Sequence, residues 1–89
     1  MDETKRWNVV VDIDEHEGRT RAVARLQMDG RDQMVGVGTA RLNPEDRDIP
    51  QIGDELAVAR ALSALSHHLL DAAAQGIEGI THQPAHLRL

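Results

Sequence analysis

The sequence predicts an α+β domain of β-β-β-α order, a three-stranded antiparallel sheet with one long helix packed on one face. Three observations predict it. Apolar residues alternate with polar ones over about 7–14 and again over 19–28, a Gly-alternating run follows over 34–42, and apolar residues then recur at helical spacing from about Pro50 to Gln75. The reading is a single domain over 1–89, with 76–89 as a C-terminal tail.

In the first strand Trp7, Val9, Val11 and Ile13 form one stripe, and Asn8, Val10 and Asp12 the other, the period of two that a half-buried strand requires. The polar run Glu15-His-Glu-Gly18 reads as the hairpin connection. The second strand sets Thr20, Ala22, Ala24, Leu26 and Met28 against Arg19, Arg21, Val23, Arg25 and Gln27. Pairing Asp14 with Arg19 puts Asp12 opposite Arg21 and Val10 opposite Val23, on the face away from the Trp7 stripe. Exposed pairs of this kind contribute about 0.2–1 kcal/mol each, so they act mainly against a one-residue slip. Asp29-Gly30-Arg31-Asp32 is the second turn, signalled by Asp-Gly.

The third strand puts Gly36 and Gly38 on its core face. Glycine weakens a strand, so two on one face predict a close approach, with the helix as the approaching element. Asn43-Pro44-Glu45-Asp46 ends the sheet, and Asp48, with Asp54 as rival, is the expected helix N-cap, with Pro50 and Gln51 following. Gly76 is the expected stop. Asp54 and Glu55 are expected near the positive end of the helix dipole, and Trp7 is expected to close one end of the core. Around the helix, Ile52, Leu56, Val58, Ala59, Leu62, Leu65, Leu69, Leu70 and Ala73 leave only a narrow polar stripe of Arg60, His67 and Asp71. Covering one sheet needs an apolar stripe of about 100° or somewhat more, so this helix calls for a second cover, either the tail with Ile77, Ile80, Leu87 and Leu89 or another subunit.

Composition narrows the function classes. A chain of 89 residues holds one core and buries little more than about 60% of its extended surface. With a single aromatic side chain, Trp7, stacking on bases or sugars is nearly excluded as a mode of recognition, and the charge of −5 opposes non-specific adhesion to nucleic acid or anionic lipid. The absence of cysteine removes disulfides, thiol nucleophiles and cysteine zinc sites. No apolar leader follows the polar start and no run approaches about 20 apolar residues, so a cytoplasmic location is expected.

Trp7-Asn-Val-Val-Val-Asp-Ile13, Thr20-Arg-Ala22, Gly36-Val-Gly-Thr-Ala-Arg41, Asn43-Pro-Glu-Asp46 and the segment from Pro50 to Leu62 together resemble the mostly actinobacterial family catalogued as domain of unknown function 1876. The match covers roughly Trp7 to Ile77. The resemblance implies a fold similar to the double-stranded RNA-binding domain, and it implies no activity. Domains of that kind touch phosphate and 2′-hydroxyl groups from a first helix, from the first hairpin and from a lysine-rich start of the last helix. Here Met1 to Arg6 is too short for that helix, carboxylates surround His16 in the hairpin, and Asp54 and Glu55 stand where lysines are needed. Nucleic acid is therefore disfavoured as a partner on grounds of charge.

Each remaining cluster has an ordinary reading. Arg19, Arg21, Arg25 and Arg41 are a candidate anion or acidic-partner surface, against a solvated face paired with Asp12 and Asp14. His67-His68 and His82-Gln-Pro-Ala-His86 suggest metal chemistry, but successive helical residues diverge by about 100° and Pro84 denies the second pair a helical geometry. Ser63 and Ser66 lack a glycine elbow, and Gly36-x-Gly38 matches only part of a dinucleotide fingerprint. No catalytic, metal or cofactor residue is assigned, and the expected cofactor is none. The function read from the sequence is a non-catalytic protein-interaction or self-assembly module, whose partner is protein and most simply a second copy. Its candidate interface residues are Val10, Val23, Val35, Val37, Val58 and Leu65. Double-stranded RNA binding is the alternative.

Overall fold

The computed structural model describes residues 3–41 and 49–89. Among them, three antiparallel strands, β1 (Asn8–His16), β2 (Arg19–Met28) and β3 (Arg31–Arg41), precede one helix, α1 (Pro50–Thr81). The strands lie in chain order, β1-β2-β3. The α+β class and the β-β-β-α order are those the sequence predicts. Leu42, the 43–46 turn and Asp48 lie outside the described residues.

Both hairpins close with two residues at positive φ, Glu17 (50°) and Gly18 (74°), then Asp29 (53°) and Gly30 (76°). Two-residue loops of this kind match the right-handed twist of the strands they join. The second is the Asp-Gly signal read from the sequence. The first is tighter than the four-residue connection expected, because Glu17 accepts the left-handed conformation normally left to Asn, Asp or Gly. The register is corrected by two residues: His16 faces Arg19, Asp14 faces Arg21, Asp12 faces Val23 and Val10 faces Arg25. A shift of two keeps every side chain on its expected face and changes only its partner. Between β2 and β3 the register slips after Leu26, which faces Met34, so that Gln27 faces Asp32 and Gln33 is the extra residue of a bulge.

The core is thin and built from small residues. Ala22, Ala24 and Leu26 of β2, Ala40 of β3, and Ala57, Ala61 and Leu65 of α1 are buried, with Val11, Met28, Met34, Val58 and Leu69 packed partly against them. The two strand glycines explain the close contact. A Cβ on Gly36 would lie 2.9 Å from Leu65 Cβ and nearer still to the Ala61 carbonyl, and one on Gly38 would lie 2.7 Å from the Arg60 carbonyl carbon and nearer still to Ala57 and Ala61 backbone. Gly53 likewise faces Thr20, whose Oγ1 would be 2.9 Å from an added Cβ. Gly53, Ala57 and Ala61, each four residues apart, thus form the helix stripe that touches the sheet.

Three expectations about α1 are corrected. It starts at Pro50 with Ile49 as N-cap and no side-chain cap, so Asp54 is no cap, and Asp54 and Glu55 sit in the second turn, where the dipole effect has already fallen off. It also runs through Gly76 and Gly79 to Thr81. Its stop is His82, left-handed at φ 59°, whose N–H donates to the Glu78 carbonyl at 2.8 Å, two residues before Pro84. Because proline bars the helical region to the residue before it, Pro84 places the end more firmly than an exposed glycine does. Trp7 does not close the core: it precedes β1 and is 54% exposed.

Candidate protein-interaction surface

A helix is about 10 Å across and neighbouring strands are about 4.8 Å apart, so one helix can cover only about two strands. Here α1 lies over β2 and β3 and barely reaches β1. The choice follows from the small side chains, since Ala22, Ala24, Gly36, Gly38 and Ala40 are all on β2 and β3. On β1 the corresponding positions carry Val9, Val11 and Ile13, and with no helix above them Val9 and Ile13 remain 46% and 43% exposed. Trp7 continues this stripe beyond the strand.

Rotation about α1 fixes what borders the open stripe. Arg60 points to the far side, where its guanidinium donates to the Thr39 carbonyl at 2.8 Å and occupies part of the free edge of β3. Val58, Leu62 and Leu69 project on the opposite flank, toward β1. Val58 and Leu69 reach the core, while Leu62 stays exposed. The polar stripe read from the sequence is therefore a side-wall of the β3 edge. His67 lies on it with its Nδ1 2.8 Å from the Ser63 carbonyl, to which the ring donates.

At about 1.5 Å per residue, α1 spans about 48 Å against about 36 Å for β3, so its last turns overhang the sheet. The molecule is correspondingly elongated, 52 × 30 × 19 Å. On the overhang Ile77 is exposed and Ile80 is 82% exposed. In the tail, Leu87 and Leu89 are themselves exposed.

The outer sheet face carries the remaining candidates. Its cross-strand rows are Val10-Arg25-Val35, Asp12-Val23-Val37, Asp14-Arg21-Thr39 and His16-Arg19-Arg41. Arg25 pairs with Asp12 and lies 3.9 Å from Asp32, which also accepts from Gln27 Nε2 at 3.0 Å. Arg19 and Arg41 lie side by side, with Arg21 next along the strand, so the basic cluster sits at one end of the face and Arg25 belongs to a different group. Val10, Val35 and Val37 are exposed, whereas Val23 is buried between its neighbours.

Of the six interface candidates, then, Leu65 and Val23 are corrected: both are buried, Leu65 in the core beneath α1, and neither is available to a partner. Val58 is half-buried on the flank facing β1. The residues missed are Val9, Ile13 and Trp7, which the alternation put on the helix side of the sheet, and Leu62, which the helical spacing put on the wide apolar face of the helix. The distribution of small residues among the strands was the signal that could have found them.

An open hollow at the start of β1 is lined by Thr4, Lys5, Arg6, Trp7, Met28 and Asp29, a mixed polar and apolar surface. Among the described residues, no three His, Asp or Glu side chains come close enough to hold a metal ion, and no helix is long and apolar enough to cross a membrane.

The family model described as Rv2632c-like matches residues 5–86, nearly the whole of the described fold. The chain belongs to the Rv2632c-like family. Relatives include the uncharacterised protein Mb1767 of Mycobacterium bovis, 57% identical over 83 residues, covering 93% of this chain and 87% of the relative. The uncharacterised protein Rv2632c of Mycobacterium tuberculosis is 56% identical over 80 residues, covering 90% and 85%. A crystal structure of Rv2632c superposes with a TM-score of 0.81 at 54% identity, covering 93% of this chain and 98% of that one. The sheet-and-helix arrangement is thus one that a solved member of the Rv2632c-like family shares.

Proposed function

We propose that this protein is a non-catalytic interaction module that assembles with a second copy of itself. The observation that carries the reading is the apolar stripe of β1, Val9 and Ile13 with Trp7 beyond them, left open because α1 covers only β2 and β3. Exposed apolar surface that is contiguous and rimmed by polar groups is the usual mark of an interface. Leu62 borders the stripe, and the helix overhang with Ile77 and Ile80 adds more surface of the same kind. With a core made mostly of alanine, the isolated chain buries little apolar area, and association supplies what the fold alone does not. The sequence has no cysteine, sets Ser63 and Ser66 without a glycine elbow and carries only part of a dinucleotide fingerprint at Gly36-x-Gly38, which weighs against an enzymatic reading.

Duplex RNA binding, by the likeness to the double-stranded RNA-binding domain, is the alternative. Arg19, Arg21 and Arg41 at one end of the outer face favour it, and Glu15, Glu17, Asp54 and Glu55 at the positions such domains use for contact oppose it. Sedimentation velocity across a concentration series, with and without a labelled duplex of about 20 base pairs at low salt, separates the two. The expected result is a protein mass that rises with concentration and a duplex that sediments unchanged. A duplex that sediments faster and is released by salt would replace the self-assembly reading with RNA binding.

A further inference from the structure

We infer that two copies join edge to edge through β1, antiparallel about a two-fold axis at Val10, making one continuous six-stranded sheet. The inference rests on the self-assembly reading above and names its surface. Among the described residues the sheet has two free edges, and they are treated differently. β3 carries a bulge and has Arg60 seated on its Thr39 carbonyl, both devices that keep a strange strand from adding. β1 runs regularly for nine residues with no proline, no bulge against β2 and no charge on its inner face from Val9 to Ile13.

Its edge groups can be assigned. A two-residue loop makes His16 and Arg19 a hydrogen-bonded pair, and the alternation of an antiparallel ladder then turns the N–H and C=O of Val9, Val11 and Ile13 to the free edge. The occupant is chosen by charge. β1 is preceded by Lys5 and Arg6 and ends in Asp12, Asp14 and Glu15, so it is basic at one end and acidic at the other. Laid antiparallel on itself about Val10, it sets Arg6 opposite the partner's Asp14 and Lys5 opposite the partner's Glu15, each contact made twice. On the inner face the same register sets Val9 against the partner's Val11 and Trp7 against the partner's Ile13, which gives the one aromatic side chain a cross-strand apolar neighbour. Centring the axis on Val9 instead opposes Glu3 to the partner's Glu15, and centring it on Val11 opposes Arg6 to the partner's His16. Only the Val10 register pairs both cations with carboxylates.

In that register the two Val10 residues form a non-hydrogen-bonded pair, with Cα atoms about 4.5 Å apart, within the span a disulfide accepts. The chain has no cysteine, so V10C reports on this contact alone. V10C under mild oxidation is expected to give a covalent dimer at concentrations where V35C, exposed on the outer face of β3, stays monomeric. R6E and D14R, each checked for folding by circular dichroism, are each expected to raise the dimer dissociation constant about tenfold through two like-charge contacts, and the double variant R6E/D14R is expected to recover it. A wild-type dimer whose V10C form cross-links no faster than V35C, or whose charge swap fails to recover, overturns the β1 pairing and leaves self-assembly standing on another face. A wild-type chain that stays monomeric overturns both.

Discussion

Gly38 shows how closely two layers can be set by one missing methyl group. Its absent side chain lets the backbone of α1 at Ala57 and Ala61 rest on β3, and G38A must push helix and sheet apart. Chemical denaturation should show a loss of about 1–3 kcal/mol, the cost of overpacking where backbone and not a flexible side chain is met. Gly76 and Gly79 are the opposite case, since neither would bring a Cβ within 4 Å of anything and both lie within the helix. G76A and G79A should each stabilise by about 0.5–1 kcal/mol in the same assay, through helix propensity alone. The role of Gly36 and Gly38 was legible in sequence because paired glycines on one strand face have few other causes. Trp7 was not, because alternation says which residues share a face and not whether that face is covered.

At the scale of elements, strand periods and the Asp29-Gly30 turn were legible since each depends on local chemistry. The hairpin register was not, because Glu17 gives no sign of taking the left-handed conformation, and one residue's φ there moves every partner along β1. The helix end was misplaced for a related reason: Gly76 permits a stop, while Pro84 requires one nearby. The overhang of α1 past the sheet leads to a further expectation. I77S and I80S, at exposed positions on that overhang, should change the denaturation free energy of the monomer by no more than about 0.5 kcal/mol, whereas L65A in the buried stripe should cost about 2–5 kcal/mol. Equal losses at the three sites would mean that the last turns of α1 are covered within the chain.

For the whole molecule the governing ratio is one helix to three strands. A single helix over alanines and glycines makes a tight two-layer contact, but it leaves the outermost strand bare on the same face and a free edge beside it. The candidate site was therefore only partly readable. The outer-face valines followed from alternation, whereas the stripe on β1 follows from which strands the helix selects, a tertiary fact set by where the small residues lie. Sedimentation equilibrium of the purified chain over a wide concentration range tests self-assembly most directly. A mass that climbs from that of the 9.8 kDa chain toward twice that value is the predicted result, and a mass that stays at 9.8 kDa throughout would contradict it.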